Sequence, residues 1–115
     1  MSAEDSVREV IGMYIESMET SSGDLVAKAF HENAKVVGYL NGDFMQLSTP
    51  EFAGFVSAQA PGAVAHEILS CEINGETATA KVRDTYLGIT FLDSLTLICE
   101  GGTWSIYCKA FHVEG

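Results

Sequence analysis

Between Thr77 and Glu100 apolar and polar residues alternate on both sides of Gly88. A period of two is the mark of a strand with one buried face, so the stretch reads as two long strands folded back on each other. With a two-residue turn at Gly88-Ile89, Ala78 lies opposite Cys99, Ala80 opposite Leu97, Val82 opposite Leu95 and Tyr86 opposite Phe91. One pair on that apolar face is out of keeping: Asp84 opposite Asp93. Neighbouring carboxylates facing a core are costly unless one is protonated or a partner neutralises them. The pair marks a candidate site without naming its ligand.

The flanking sequence supplies the layers around this hairpin. Ser2 and Asp5 resemble a capping box. Val7, Val10, Ile11, Tyr14, Ile15 and Met18 then fall at helical spacing, which predicts a first helix of about four turns. Thr20–Gly23 ends it, and Ser22 can cap a second helix over Asp24–Phe30. Ala34–Leu40 and Asp43–Leu47 read as strands joined at Asn41-Gly42, a turn whose two positions need positive φ. Thr49 as cap and Pro50 at the first turn open a third helix, with Phe52, Phe55 and Val56 inward.

From Ala63 onward the pattern is all strand. Ala63–Ile73 turns at Asn74-Gly75 into Thr77–Leu87, and Phe91–Glu100 turns at Gly101-Gly102 into Trp104–Val113. Carrying the register across this meander gives inward rows. Glu67, Val82, Leu95 and Cys108 form one row. Ala65, Asp84, Asp93 and Ala110 form the next, and Tyr86, Phe91 and His112 close the series. His66, Ile68, Lys81, Leu92, Thr96, Tyr107, Lys109 and Phe111 then face outward. A bulge would shift the register by one and flip the side chains beyond it.

Composition narrows the function classes. The 115 residues are 47% hydrophobic and 19% charged, which fits one domain spanning 1–115. A net charge of −10 with only six Lys and Arg argues against nucleic acid and anionic membranes as partners. The sequence has no apolar run long enough for a membrane helix and no signal-peptide pattern, so a cytoplasmic protein is expected. Three cysteines without a CxxC spacing read as small buried hydrophobes. Cys71 and Cys99 sit two strands apart, about 10 Å, too far to bridge.

The order helix, helix, hairpin, helix, then four antiparallel strands resembles the nuclear transport factor 2-like (cystatin-like) superfamily. Val10–Tyr14 (VIGMY) followed by Ser22-Gly23-Asp24 is similar to its first helix and the Gly-Asp after it. Thr90–Leu97 (TFLDSLTL), Gly102–Ile106 (GTWSI) and Lys109-Ala110-Phe111 match the patterns T-[FY]-x-D-x-L-x-L, G-x-W-x-I and K-x-F of the subfamily called "putative lumazine-binding". The match spans nearly the whole chain. It implies an α+β fold: three N-terminal helices on a curved, mixed or antiparallel sheet that forms a cone around a central pocket. It also implies a homodimer through the outer sheet face, here Leu92, Thr96, Tyr107 and Phe111. Tyr14 stands where the ketosteroid-isomerase branch keeps an oxyanion-binding tyrosine. Asn33 stands where many relatives carry an Asp general base, and an asparagine takes up no proton.

Two functional readings follow. In the first, the pocket binds a small, partly apolar ligand. Tyr14, Asp84 and Asp93 orient it, with Glu67, Tyr86, Phe91, Cys108 and His112 around them. In the second, Asp93 or Asp84 is the base and Tyr14 steadies the enolate in isomerase- or dehydratase-like chemistry on a cyclic carbonyl compound. A plain structural role is open to each: Tyr14 as a core tyrosine with its hydroxyl satisfied, Asp84 released to water by a bulge near Gly88. Glu67, Asp84, Asp93 and His112 are an oxygen-rich set, but their spacing matches no metal motif, so neither metal nor cofactor is expected.

Overall fold

The computed structural model describes residues 2–115. Helix α1 (Ala3–Glu19) begins at Ser2, whose hydroxyl accepts the Asp5 amide at 3.1 Å. Its apolar stripe is fully inward: Val7, Ile11 and Tyr14 have no exposed surface. Helix α2 (Gly23–Ala29) is capped by Ser22. Phe30 leaves that helix and opens strand β1 (Phe30–Leu40), four residues before the expected start. Strand β2 (Asp43–Ser48) follows the Asn41-Gly42 turn, both of whose residues have positive φ. Helix α3 (Thr49–Ser57) is capped by Ser48 instead of Thr49. Ser48 has Glu51 three residues on, which completes a reciprocal capping box. The Thr49 hydroxyl is thereby free to donate to the His31 carbonyl at 2.6 Å.

Strands β3 (Ala65–Asn74), β4 (Thr77–Tyr86), β5 (Ile89–Glu100) and β6 (Thr103–Val113) form the meander. The six strands lie in the order β2-β1-β6-β5-β4-β3, with β1 parallel to β6 and all other neighbours antiparallel. The sheet is therefore open and mixed, and the three helices cover one face of it. Helix α1 packs on β6 and β3, and α3 packs on β1 and β2. Between them lies one core that includes Ile11, Phe30, Phe52, Val82, Leu97 and Ile106. Among the described residues no helix is long and apolar enough to cross a membrane.

The β3–β4 turn falls at Gly75-Glu76 instead of Asn74-Gly75, an even shift that keeps side chains on their faces; beyond it the register departs from expectation at three places. The β4–β5 turn is Leu87-Gly88, at φ 56° and 77°, not Gly88-Ile89. Asp84 consequently faces Phe91, and Val82 faces Asp93. The shift is two residues, so every side chain keeps its face and the two acids become diagonal neighbours. An extra residue on β6, Tyr107, places Leu97 of β5 opposite Ile106 but Thr96 opposite Cys108. This odd shift turns Lys109 and Phe111 inward and carries Cys108 and His112 to the outer face. Phe111 thus leaves the proposed outer-face set. A third irregularity, between Ile68 and Ser70, turns Ile68 inward and Glu67 outward, opposite Arg83. His66, expected on the outer side, falls in the row of Asp84 but stays exposed on the edge strand.

Candidate functional site

Helix α1 and strands β4 and β5 bring three polar side chains together inside the core. Tyr14 and Asp93 have no exposed surface, and Asp84 is 1% exposed. The Tyr14 hydroxyl donates to Asp93 Oδ2 at 2.7 Å, a buried bond between residues 79 apart in sequence. Tyr14 is held from its other sides by the edge of Phe30, with ring centres 5.5 Å apart at 83°, and by Phe52 at 6.4 Å.

Burial pushes the Asp84 carboxyl up from its ordinary 3.8 to about 9, and hydrogen bonding to Asp93 and the charge on Asp93 push the same way. Lys109 opposes this shift and is outweighed. Near neutral pH Asp84 therefore keeps its proton. Burial, then the charges of Asp93 and Asp84, raise the Tyr14 hydroxyl well above its ordinary value, so it stays a donor. Burial also raises the Tyr86 hydroxyl.

This chain of acids ends at a hollow between the sheet, α1 and α3. Its cavity is small, about 60 Å³, and opens toward solvent. The wall is mostly apolar, with Phe52, Phe55, Phe91 and Phe111 prominent. Its polar members are Asp84, Tyr86 and Lys109. Taken as ionised carboxylates, Asp84 Oδ2 and Asp93 Oδ1 are buried without a hydrogen-bond partner among the described residues; a proton on Asp84 bonded to Asp93 satisfies that pair and leaves the buried Tyr86 hydroxyl without one. Such groups are rare in native cores, and Tyr86 lines the hollow.

Of the residues expected at the site, Asp84, Tyr86 and Phe91 line this hollow. Tyr14 and Asp93 stand one layer behind it. Glu67, Cys108 and His112 are on the other face and are not part of it. The oxygen-rich set is split in the same way, and no cluster of three His, Cys, Asp or Glu side chains occurs among the described residues. Asn33 is exposed on β1, its amide donating to His31 Nδ1 at 3.0 Å.

Lys109 was not legible as a site residue. It is 7% exposed, and its Nζ lies 4.7 Å from the ring centre of Tyr14, 4.6 Å from Phe52 and 5.9 Å from Phe111. The ring faces offer an ammonium their negative quadrupole, which stabilises a charge that burial alone would penalise.

Three helices laid on one face of a six-stranded mixed sheet make the fold of nuclear transport factor 2-like proteins. The chain superposes with a TM-score of 0.92 on such a protein of unknown function from Silicibacter pomeroyi, at 21% identity over 99% of this chain and 100% of that one. A second, from Methylobacillus flagellatus, gives 0.90 at 25% identity over 100% and 96%. Within this class the chain belongs to the family described as "Putative lumazine-binding", whose model matches residues 2–112. It is also 26% identical over 114 residues to the aldolase FrzH of Cladobotryum sp, covering 94% of this chain and 89% of that protein.

Proposed function

We propose that the protein is a proton-transfer enzyme acting on a small, partly apolar carbonyl compound held in this hollow. The observation that carries the reading is the buried acid pair, whose proton-bearing member stands at the wall. A carboxyl held near 9 is a general acid suited to neutral conditions, and once it has given up its proton it is a base strong for a carboxylate. Asp84 donates its proton to the carbonyl oxygen and receives one from the α-carbon, so that enol forms and the pair returns to its starting state. The Lys109 ammonium, whose charge favours the carboxylate, stabilises the ionised form that arises between the two transfers. The likeness to an aldolase supports this class, because aldol chemistry begins with enolisation. Two copies are proposed to pair through the outer sheet face by way of Leu92, Thr96 and Tyr107, which sedimentation would show.

The test is exchange of α-protons for deuterium in cyclohexanone and 2-tetralone, followed by NMR in deuterium oxide. Asp84→Asn is expected to slow exchange by roughly a hundredfold, the usual scale for a lost acid–base group. Equal rates in both proteins for every ketone that binds would overturn the proposal. The family description favours a second reading, binding without turnover, and equal rates are what that reading predicts.

A further inference from the structure

We propose that Lys109 is the oxyanion-binding group of the hollow and that the ligand is an apolar monoanion whose charged oxygen sits between the Lys109 ammonium and Asp84. Lys109 Nζ makes no hydrogen bond or ion pair with any described residue; its close contacts are three aromatic faces. An ammonium has three N–H donors, and ring faces satisfy charge better than they satisfy donors. The donors left over belong to a residue that lines the hollow. Beside it, the Tyr86 hydroxyl is also without a protein partner among the described residues.

Charge sharpens the ligand class. The protein carries −10, and its surface field repels anions unless a cation is close at hand. Arg8 is bonded to Glu4 and Arg83 to Glu114, both on the surface. Lys109 is the one basic residue among the described residues lining the hollow, and it offsets the negative charge of the acid pair. One cation in a wall of phenylalanines fits one negative charge on an apolar body. A carboxylate or an enolate supplies the same oxyanion. The proposal deepens the carbonyl reading of this hollow, since an enolate is the anion that enolisation generates, but it is tested by binding alone.

Calorimetric titration of wild type with phenylacetate and with its neutral isostere phenylacetamide should show preference for the acid. Lys109→Met fills the same space without charge, and should weaken phenylacetate by about tenfold or more while changing phenylacetamide by less than about twofold. Lys109→Arg should retain the preference. A parallel titration with 4-nitrophenolate stands for the enolate. Binding of either anion supports the assignment and identifies the source, whereas binding of neither overturns it. Equal loss of the acid and the amide in Lys109→Met shows mere packing and also overturns it. Should Lys109→Met fail to fold, the ¹⁵Nζ resonance of Lys109 in wild type decides: a shift on adding phenylacetate supports the assignment, and none overturns it. Ketone exchange that still depends on Asp84 would leave the enzyme reading standing even if this one fell.

Discussion

Replacing Asp84 by Asn should make the protein more stable at neutral and alkaline pH and remove most of its pH dependence there. In the unfolded chain Asp84 ionises near 3.8, and in the folded chain near 9. Between those values the folded state binds one proton more than the unfolded state. The linkage slope is then negative: stability is fully present below the unfolded value and is lost as pH rises toward the folded one. One proton corresponds to about 1.4 kcal/mol per pH unit, so wild type should lose roughly 4 kcal/mol between about pH 5 and pH 8 from this group. That is a large part of the 5–15 kcal/mol typical of a domain. Asn has the same shape, carries no charge and can still donate to Asp93, so the variant should show little of this loss.

Urea unfolding followed by the fluorescence of Trp104, the chain's one tryptophan and 8% exposed, measures it directly. Other titrating groups are common to both proteins, and the difference between the two curves isolates Asp84. The competing physical picture is an ionised Asp84 paired with Lys109. It gives the opposite sign, with wild type gaining on the variant as pH rises. Parallel curves, or curves diverging in that sense, would refute the assignment of the proton to Asp84 and with it the general acid.

Tyr14→Phe leaves Asp93 Oδ2 buried without its donor and should cost about 1–3 kcal/mol in the same unfolding assay. A cost near zero would mean that Asp93 has another partner. Gly38→Ala should destabilise by at least about 2 kcal/mol, since an added Cβ would meet the Phe111 carbonyl oxygen at 2.5 Å and its ring at 2.6 Å. Unchanged stability would contradict the close β1–β6 contact. Leu87→Asn should raise stability by about 0.5–1 kcal/mol, because Leu87 is 49% exposed and held at positive φ in a turn that Asn-Gly fits better. A loss instead would show that Leu87 packs on something.

Much of the fold was readable because its signals are local. The stripe of α1 and the Asn41-Gly42 and Gly101-Gly102 turns lie where spacing and glycine place them. Boundaries were less readable where two neighbours can do one job. Ser48 and Thr49 both suit a helix cap, and only Glu51 at the third position favours Ser48. The turn at Leu87-Gly88 was displaced for a related reason. Leucine seldom takes positive φ, so nothing in its side chain announces that it holds the first turn position. Here the β4–β5 pairing, Tyr86 opposite Ile89 and Asp84 opposite Phe91, holds it there.

The site itself depends on the difference between even and odd shifts of register. The even shift at Leu87-Gly88 moved the partners of Asp84 and Asp93 but left both facing inward, so the acid pair survived a wrong turn position. The odd shift on β5–β6 did the reverse. It left Leu97 opposite Ile106 as expected and exchanged the faces of everything after Tyr107. A lysine is read as outward by default, because an unpaired charge is seldom buried. No residue type in Ser105–Lys109 signals a bulge. Lys109 therefore entered the hollow unannounced, and its burial is tolerable only because Tyr14, Phe52 and Phe111 arrive from α1, α3 and β6 to surround it. The acids are thus set by a pattern within one hairpin, and the cation by the meeting of three separate elements. That is why the first could be found in the sequence and the second only in three dimensions.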